Sequence, residues 1–158
     1  MTVKFSTGAI NRSLGDNAVS GSNNGLAGIF KNSYLEIYTG TQPASADNAA
    51  TGTKLARVTL NAGDFTVGSP TNGLQFDPPS GGILSKSASQ AWQYSGLTPG
   101  TAGWARLCAN DSYMNTSSAT DARMDMAVGT STGDLQISNI NIQIGTQGSI
   151  TEFTITGS

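Results

Sequence analysis

The residues with the most chemical reach are the aspartates of the C-terminal half. Asp121 and Asp125 flank Ala122-Arg123-Met124, and Asp111 lies upstream beside Asn110. Paired carboxylates can divide acid and base work when their surroundings separate their pKa values. A spacing of four, however, brings two side chains together only on a helix, and residues 124–128 read as a strand. The plainer reading is that these are loop aspartates, solvated or bonded to local backbone. Asp134 after Gly133 and Asp77 before Pro78 stand isolated. They lack the convergent oxygen density that calcium needs, so no metal ligand is nominated.

The aromatic set Tyr34, Tyr38, Trp92, Tyr94 and Trp104 offers a second chemistry, a stacking platform for sugars with nearby Asn, Gln and Asp fixing the hydroxyls. Against it, tryptophan usually goes to cores and subunit contacts. In a chain this short of large apolar residues, Trp92 and Trp104 are needed simply to fill volume. Tyr38, Trp92, Tyr94 and Trp104 are therefore read as anchors of a core or an interface, with a glycan as the minor alternative. Cys108, next to Leu107 in an apolar run and close to Arg106, reads as a buried small apolar residue, since there is no His to activate it. Neither a GxxxxGK[ST] loop nor a strand-linked GxGxxG occurs, so no phosphate cradle or cofactor is expected. Asn11, Asn110 and Asn115 match the N-x-S/T pattern, which carries meaning only in a secreted chain.

Composition narrows the rest. With no His, a His-based triad, general base or metal ligand is excluded; with one Cys, so are an internal disulfide and a Cys-rich zinc site. A net charge of −2 with eight scattered cations gives no footprint for nucleic acid. No apolar run approaches the roughly 18 residues that span a bilayer, and the opening Met1-Thr-Val-Lys-Phe lacks a signal-peptide core, so a product assembled without a membrane step is expected. The 158 residues make one domain, able to bury roughly 70% of its unfolded surface. Gly, Ser, Thr and Asn supply about 44% of the chain and Leu, Ile, Val and Phe about 19%. Charged residues are only 11%, too few for disorder driven by repulsion. A folded chain with a small core follows.

The elements that must position these residues are strands. Residues 34–38 put Leu35 and Ile37 on one face and Tyr34, Glu36 and Tyr38 on the other; residues 54–60 align Ala56, Val58 and Leu60. Residues 92–94, 104–109 and 124–128 are further candidates. From Leu135 to Ile144 the alternation slips at Ser138-Asn139, as at a bulge or strand junction. Gly145-Thr-Gln-Gly148 and the β-branched run to Ile155 then predict a C-terminal hairpin. Turn-rich segments at 68–73, 77–82 and 97–100 separate the strands. The pattern predicts an all-β fold, a sandwich, jelly roll or small barrel of about seven to nine short strands. Ser6 or Thr7 is placed to cap one short helix that Gly15 ends, and residues 44–50 could add one more helical turn. Residues 1–30 read as an N-terminal arm ordered on assembly, and 31–158 as a single β domain.

Three stretches carry a resemblance: Ile37-Tyr-Thr-Gly-Thr-Gln-Pro-Ala-Ser-Ala-Asp47 with Thr51-Gly-Thr-Lys-Leu-Ala56; Gly100-Thr-Ala-Gly-Trp-Ala-Arg106; and Val128-Gly-Thr-Ser, Asp134-Leu-Gln-Ile-Ser-Asn139 and Phe153-Thr-Ile-Thr156. Over about a third of its length the chain resembles small virion structural proteins of tailed bacteriophages and prophages. The resemblance implies a non-enzymatic part of the particle, first a capsid decoration or cement protein, otherwise a neck, tail or fibre-associated one. The partners it implies are other copies of the chain and phage capsid or tail proteins, and its place the virion assembled in the host cytoplasm. A sugar-binding module for host attachment is the alternative from a different class.

Overall fold

A computed structural model describes residues 3–15 and 25–157. It contains eleven strands and two short helices among those residues: β1 (Lys4–Phe5), α1 (Thr7–Ser13), α2 (Gly25–Ile29), β2 (Tyr34–Thr39), β3 (Lys54–Leu60), β4 (Ile83–Ser85), β5 (Trp92–Ser95), β6 (Gly100–Cys108), β7 (Arg123–Gly129), β8 (Leu135–Gln136), β9 (Asn141–Ile142), β10 (Gln147–Ile150) and β11 (Thr154–Thr156). The fold is all-β, as the alternation predicts. Nine strands form one sheet in the order β1-β7-β6-β2-β3-β5-β10, with β8 on β7 and β9 on β6. All neighbours are antiparallel except β7 and β8, and β4 and β11 form a separate pair.

Period-two patterning sorts the central strands into two faces. On one face Leu35, Ile37, Ala56, Val58, Ala105, Leu107, Met124 and Met126 join Trp92, Ile142, Ile150 and Phe153 in the main hydrophobic cluster. On the other, Tyr34 and Cys108 pack with Phe65 and Met114 in a smaller cluster. Both faces are covered, which is why β2 is buried at five of its six positions.

The C-terminal hairpin predicted from 135–155 does not form. Each strand of that region pairs elsewhere: β8 with β7, β9 with β6, β10 with β5 and β11 with β4. The cause is a spacing of three. Ile150 and Phe153 are both buried, while Thr151 and Glu152 are exposed; one continuous strand would put positions 150 and 153 on opposite faces. The chain therefore breaks between them. The slip at Ser138-Asn139 is a strand junction, between β8 and β9.

At the N-terminus Ser6 caps α1, its side chain accepting from the Ala9 N–H at 3.1 Å, and Gly15 follows with φ +97°. The N-terminal segment, expected to be irregular with at most one short helix, holds two, because α2 occupies part of the expected arm. Leu26, Ile29 and Phe30 lie at i, i+3 and i+4 and face the main cluster, a helical period obscured in the sequence by Gly25 and Gly28. Residues 44–50 make turns rather than a helix, held by the Asn48 N–H donating to the Ser45 carbonyl. The described parts of the arm are built into the β domain: β1 pairs with β7, and α1 buries Ala9 against it. Its remainder, residues 1–2 and 16–24, lies outside the described residues.

Candidate functional site

The sheet register assembles a row of alternating charge that no single strand displays. Arg57 on β3 lies across from Glu36 on β2, Glu36 from Arg106 on β6, Arg106 from Asp125 on β7, and Asp125 from Lys4 on β1. Opposite charges at directly facing positions stabilise a sheet, and like charges would destabilise it. The centre of the row is buried: Glu36 is 1% exposed, and Arg106 and Asp125 are each 0%.

Each buried charge is matched. Arg106 grips Asp125 in a bidentate pair at 2.6 and 2.8 Å, and its Nη1 donates to the carbonyls of Asn48 and Met114 at 2.9 and 3.1 Å. Glu36 accepts from Arg57, from Lys54 at 3.4 Å and from the Tyr38 hydroxyl. In the next row Arg123, also 0% exposed, donates to the Thr116 carbonyl at 2.7 Å and the Asp121 carboxylate at 2.8 Å. Its Nη1 reaches the carbonyl of Ala46 at 3.4 Å. The buried arginines thus clasp two covering loops, residues 40–53 and 110–122, by their carbonyl oxygens.

That clasp decides the fate of the sequence-predicted residues. Asp111, Asp121 and Asp125 are each paired with an arginine of their own: Arg12, Arg123 and Arg106. Asp134 accepts the Ala127 N–H at 2.9 Å. Asp77 accepts the Ala88 N–H, which holds its carboxyl below the usual carboxylate range. Among the described residues no group of three or more His, Cys, Asp or Glu is arranged to hold a metal.

The aromatic platform is not on the surface. Tyr34, Tyr38, Trp92, Tyr94 and Trp104 are at most 4% exposed, all within one chain. Trp104 stacks on Tyr38 at 4.8 Å and donates from Nε1 to the Thr51 carbonyl at 3.2 Å. Trp92 meets Phe76 edge-on at 5.3 Å and donates to Gln90 at 3.0 Å. Tyr94 is pressed by Gly148, where a Cβ would fall 2.1 Å from the ring. Burial raises the hydroxyls of Tyr34, Tyr38 and Tyr94 above the usual phenol range and pushes the Cys108 thiol up to about 12.

The sequence reading missed the residues left facing outward. Between the loop of residues 61–69 and the loop of residues 110–122 runs a trough of about 410 Å³, floored by Tyr34, Glu36 and Arg57 and walled by Val67 and residues 113–116. A second hollow of about 380 Å³ shares Arg57 and adds Lys54 and Asp64. Phe65, stacked on Tyr34 at 4.7 Å, lines the second, so the loop of residues 61–69 crosses between the two. Tyr113 is 57% exposed at the trough wall. The available signal was the face Tyr34, Glu36, Tyr38 of β2, where a charge amid aromatics demands a cross-strand partner.

The large exposed apolar residues lie elsewhere. Leu97 and Ile144 are 52% and 71% exposed. They sit on adjoining turns tied by the Gly145 N–H to the Gly96 carbonyl and the Gly96 N–H to the Thr146 carbonyl. Ile10 and Leu14, on and just after α1, are 47% and 81% exposed.

Comparison with known proteins gives no relative: no family model, curated protein or solved structure matches the chain.

Proposed function

We propose that this chain is a structural component of a tailed-phage particle, a β module that decorates or cements the capsid through protein contacts and catalyses no reaction. The observation that carries the reading is where the reactive residues go. Arg106 with Asp125 and Arg123 with Asp121 are consumed in pinning loops, so the molecule's buried chemistry serves its shape.

The segments that resemble phage proteins support the same reading. Residues 37–47 and 51–56 take in most of the loop of residues 40–53, and Gly100–Cys108 is the strand that holds it, through Trp104 on the Thr51 carbonyl and Arg106 on the Asn48 carbonyl between the two stretches. The contact is close: a Cβ on Gly103 would lie 1.9 Å from the Gly40 carbonyl oxygen. The buried tryptophans are not the contact residues; Leu97 and Ile144, exposed on neighbouring turns, are the better candidates for a capsid-facing patch.

Purified virions, separated into tailless heads and free tails and compared by gel densitometry, test the assignment. The protein is expected in the head fraction at a copy number comparable to the capsid subunit. Low-copy recovery with tails would move it to the neck, tail or fibre, and absence from particles would overturn the reading.

A further inference from the structure

We propose that the trough between the loops of residues 61–69 and 110–122 is a binding site for a neutral saccharide, with Tyr113 as the stacking ring and Arg57 donating N–H groups to the sugar hydroxyls. The inference is independent of the particle assignment.

It begins with how the 110–122 wall is held. The Tyr34 hydroxyl donates to the Ser112 carbonyl at 2.9 Å, Arg106 to the Met114 carbonyl at 3.1 Å and Arg123 to the Thr116 carbonyl at 2.7 Å. Three alternate residues are tied down from beneath, and the two between them, Tyr113 and Asn115, are exposed. Buried charges are poor sources of net stability and better at fixing one arrangement. Here they fix the loop that presents an aromatic ring and a carboxamide at the trough.

The floor supplies hydrogen-bond donors. Arg57 gives Nε–H to Glu36 at 2.8 Å and one Nη1–H to the Phe65 carbonyl at 3.4 Å, and its Nη2 sits 2.6 Å from the same Glu36 oxygen, which takes up a third N–H at most. A guanidinium has five N–H donors, so two remain, on a side chain that lines the trough. Thr116 adds a hydroxyl and Val67 an apolar wall. The volume of about 410 Å³ lies within the roughly 300–1,000 Å³ of small-ligand sites.

The chemistry that suits this surface has an apolar flat face and a rim of groups that both donate and accept. A pyranose ring has both. Its C–H face can lie on the Tyr113 ring, and adjacent hydroxyls can meet the spare Arg57 donors and the Asn115 amide. An anionic ligand is disfavoured because Glu36 already neutralises Arg57 at 2.6 Å. A purely apolar ligand would cover the spare Arg57 donors without meeting them.

The test is amide shift mapping of the full chain by NMR, titrated with glucose, galactose, mannose and N-acetylglucosamine, and with glucuronate as the charged arm. Saturable shifts at residues 57 and 113–116 with at least one neutral sugar are expected. Tyr113→Ala should weaken that binding by about tenfold, the size of one aromatic contact, with an unchanged melting temperature; Tyr113→Phe should keep it. Binding of glucuronate alone, equal binding by Tyr113→Ala, or no shift with any sugar would each overturn the proposal.

Discussion

Arg106 shows what one residue does in this molecule. It is wholly buried, yet it meets the Asp125 carboxylate and two loop carbonyls. Removing one member of such a pair strands the other as an uncompensated charge, at about 3–5 kcal/mol, whereas replacing both with apolar residues is much less costly. Arg106→Met is therefore expected to lower the melting temperature by roughly 10 °C, at 2–4 °C per kcal/mol for a domain of this size. Arg106→Met with Asp125→Leu should recover part of the loss, though not all, because the Asn48 and Met114 carbonyls stay unpartnered. A single variant that melts with the parent would show that the pair holds nothing in place. The buried acids nearby predict an alkaline limit. Cys108 is held neutral by burial, its pKa pushed up to about 12 from an ordinary 9.0, and the Tyr34 and Tyr38 hydroxyls are raised from 10.0 in the same direction. Above the unfolded value the unfolded chain releases a proton that the native state keeps, so unfolding is favoured. Stability from Cys108 is complete below about pH 9 and falls as the pH rises towards 12. Melting curves across this range should show the decline, and Cys108→Ala should delay its onset towards the tyrosine range. An identical pH profile for the two proteins would count against the thiol.

At the scale of elements, legibility followed the length of the alternating pattern. Residues 34–38, 54–60 and 124–128 were readable because apolar side chains recur every second residue for long enough to define a face, and all three are strands. Ser6 was readable as a cap because its chemistry is local. Pairing was not readable. The Ile-rich C-terminal region looks like a hairpin because its two halves are adjacent in sequence, but four different partners take its four short strands. Burial of Ile150 and Phe153 outweighs the local turn signal at Gly145-Thr-Gln-Gly148. α2 was missed for the opposite reason: its helical period spans only Leu26, Ile29 and Phe30, and two glycines argue against it. The trough depends on register, since Glu36 faces both Arg57 and Arg106 only once β3, β2 and β6 are aligned. Alternating charge on separate strands hints at such a row but does not fix its order.

For the whole molecule the consequential question is whether the N-terminal segment is an appendage or part of the cooperative unit. The contacts favour the second. Ser6, wholly buried, accepts the Ala9 N–H and the Arg123 N–H at 3.1 and 2.8 Å, and donates to the Asp121 carbonyl at 2.7 Å. Thr7 binds both oxygens of Asp47 at 2.6 Å, and Arg12 pairs with Asp111 at 2.9 Å. These bonds land on both loops that the buried arginines clasp, so β1 and α1 close over the clasp from the far side. Gly8 fits so tightly that a Cβ would lie 2.4 Å from the Thr120 carbonyl oxygen. Deleting residues 1–15 would leave the Arg123 N–H and the Asp121 carbonyl without Ser6, at about 1–3 kcal/mol each, and uncover the edge of β7. The intact chain should melt in one calorimetric transition, and the truncated chain should lose roughly 10 °C or more. Protease should then remove the first fifteen residues no faster than the chain unfolds as a whole. Rapid trimming that leaves the melting temperature of the remaining β domain unchanged would instead make the segment a separable arm, free to find its contacts on a neighbouring molecule.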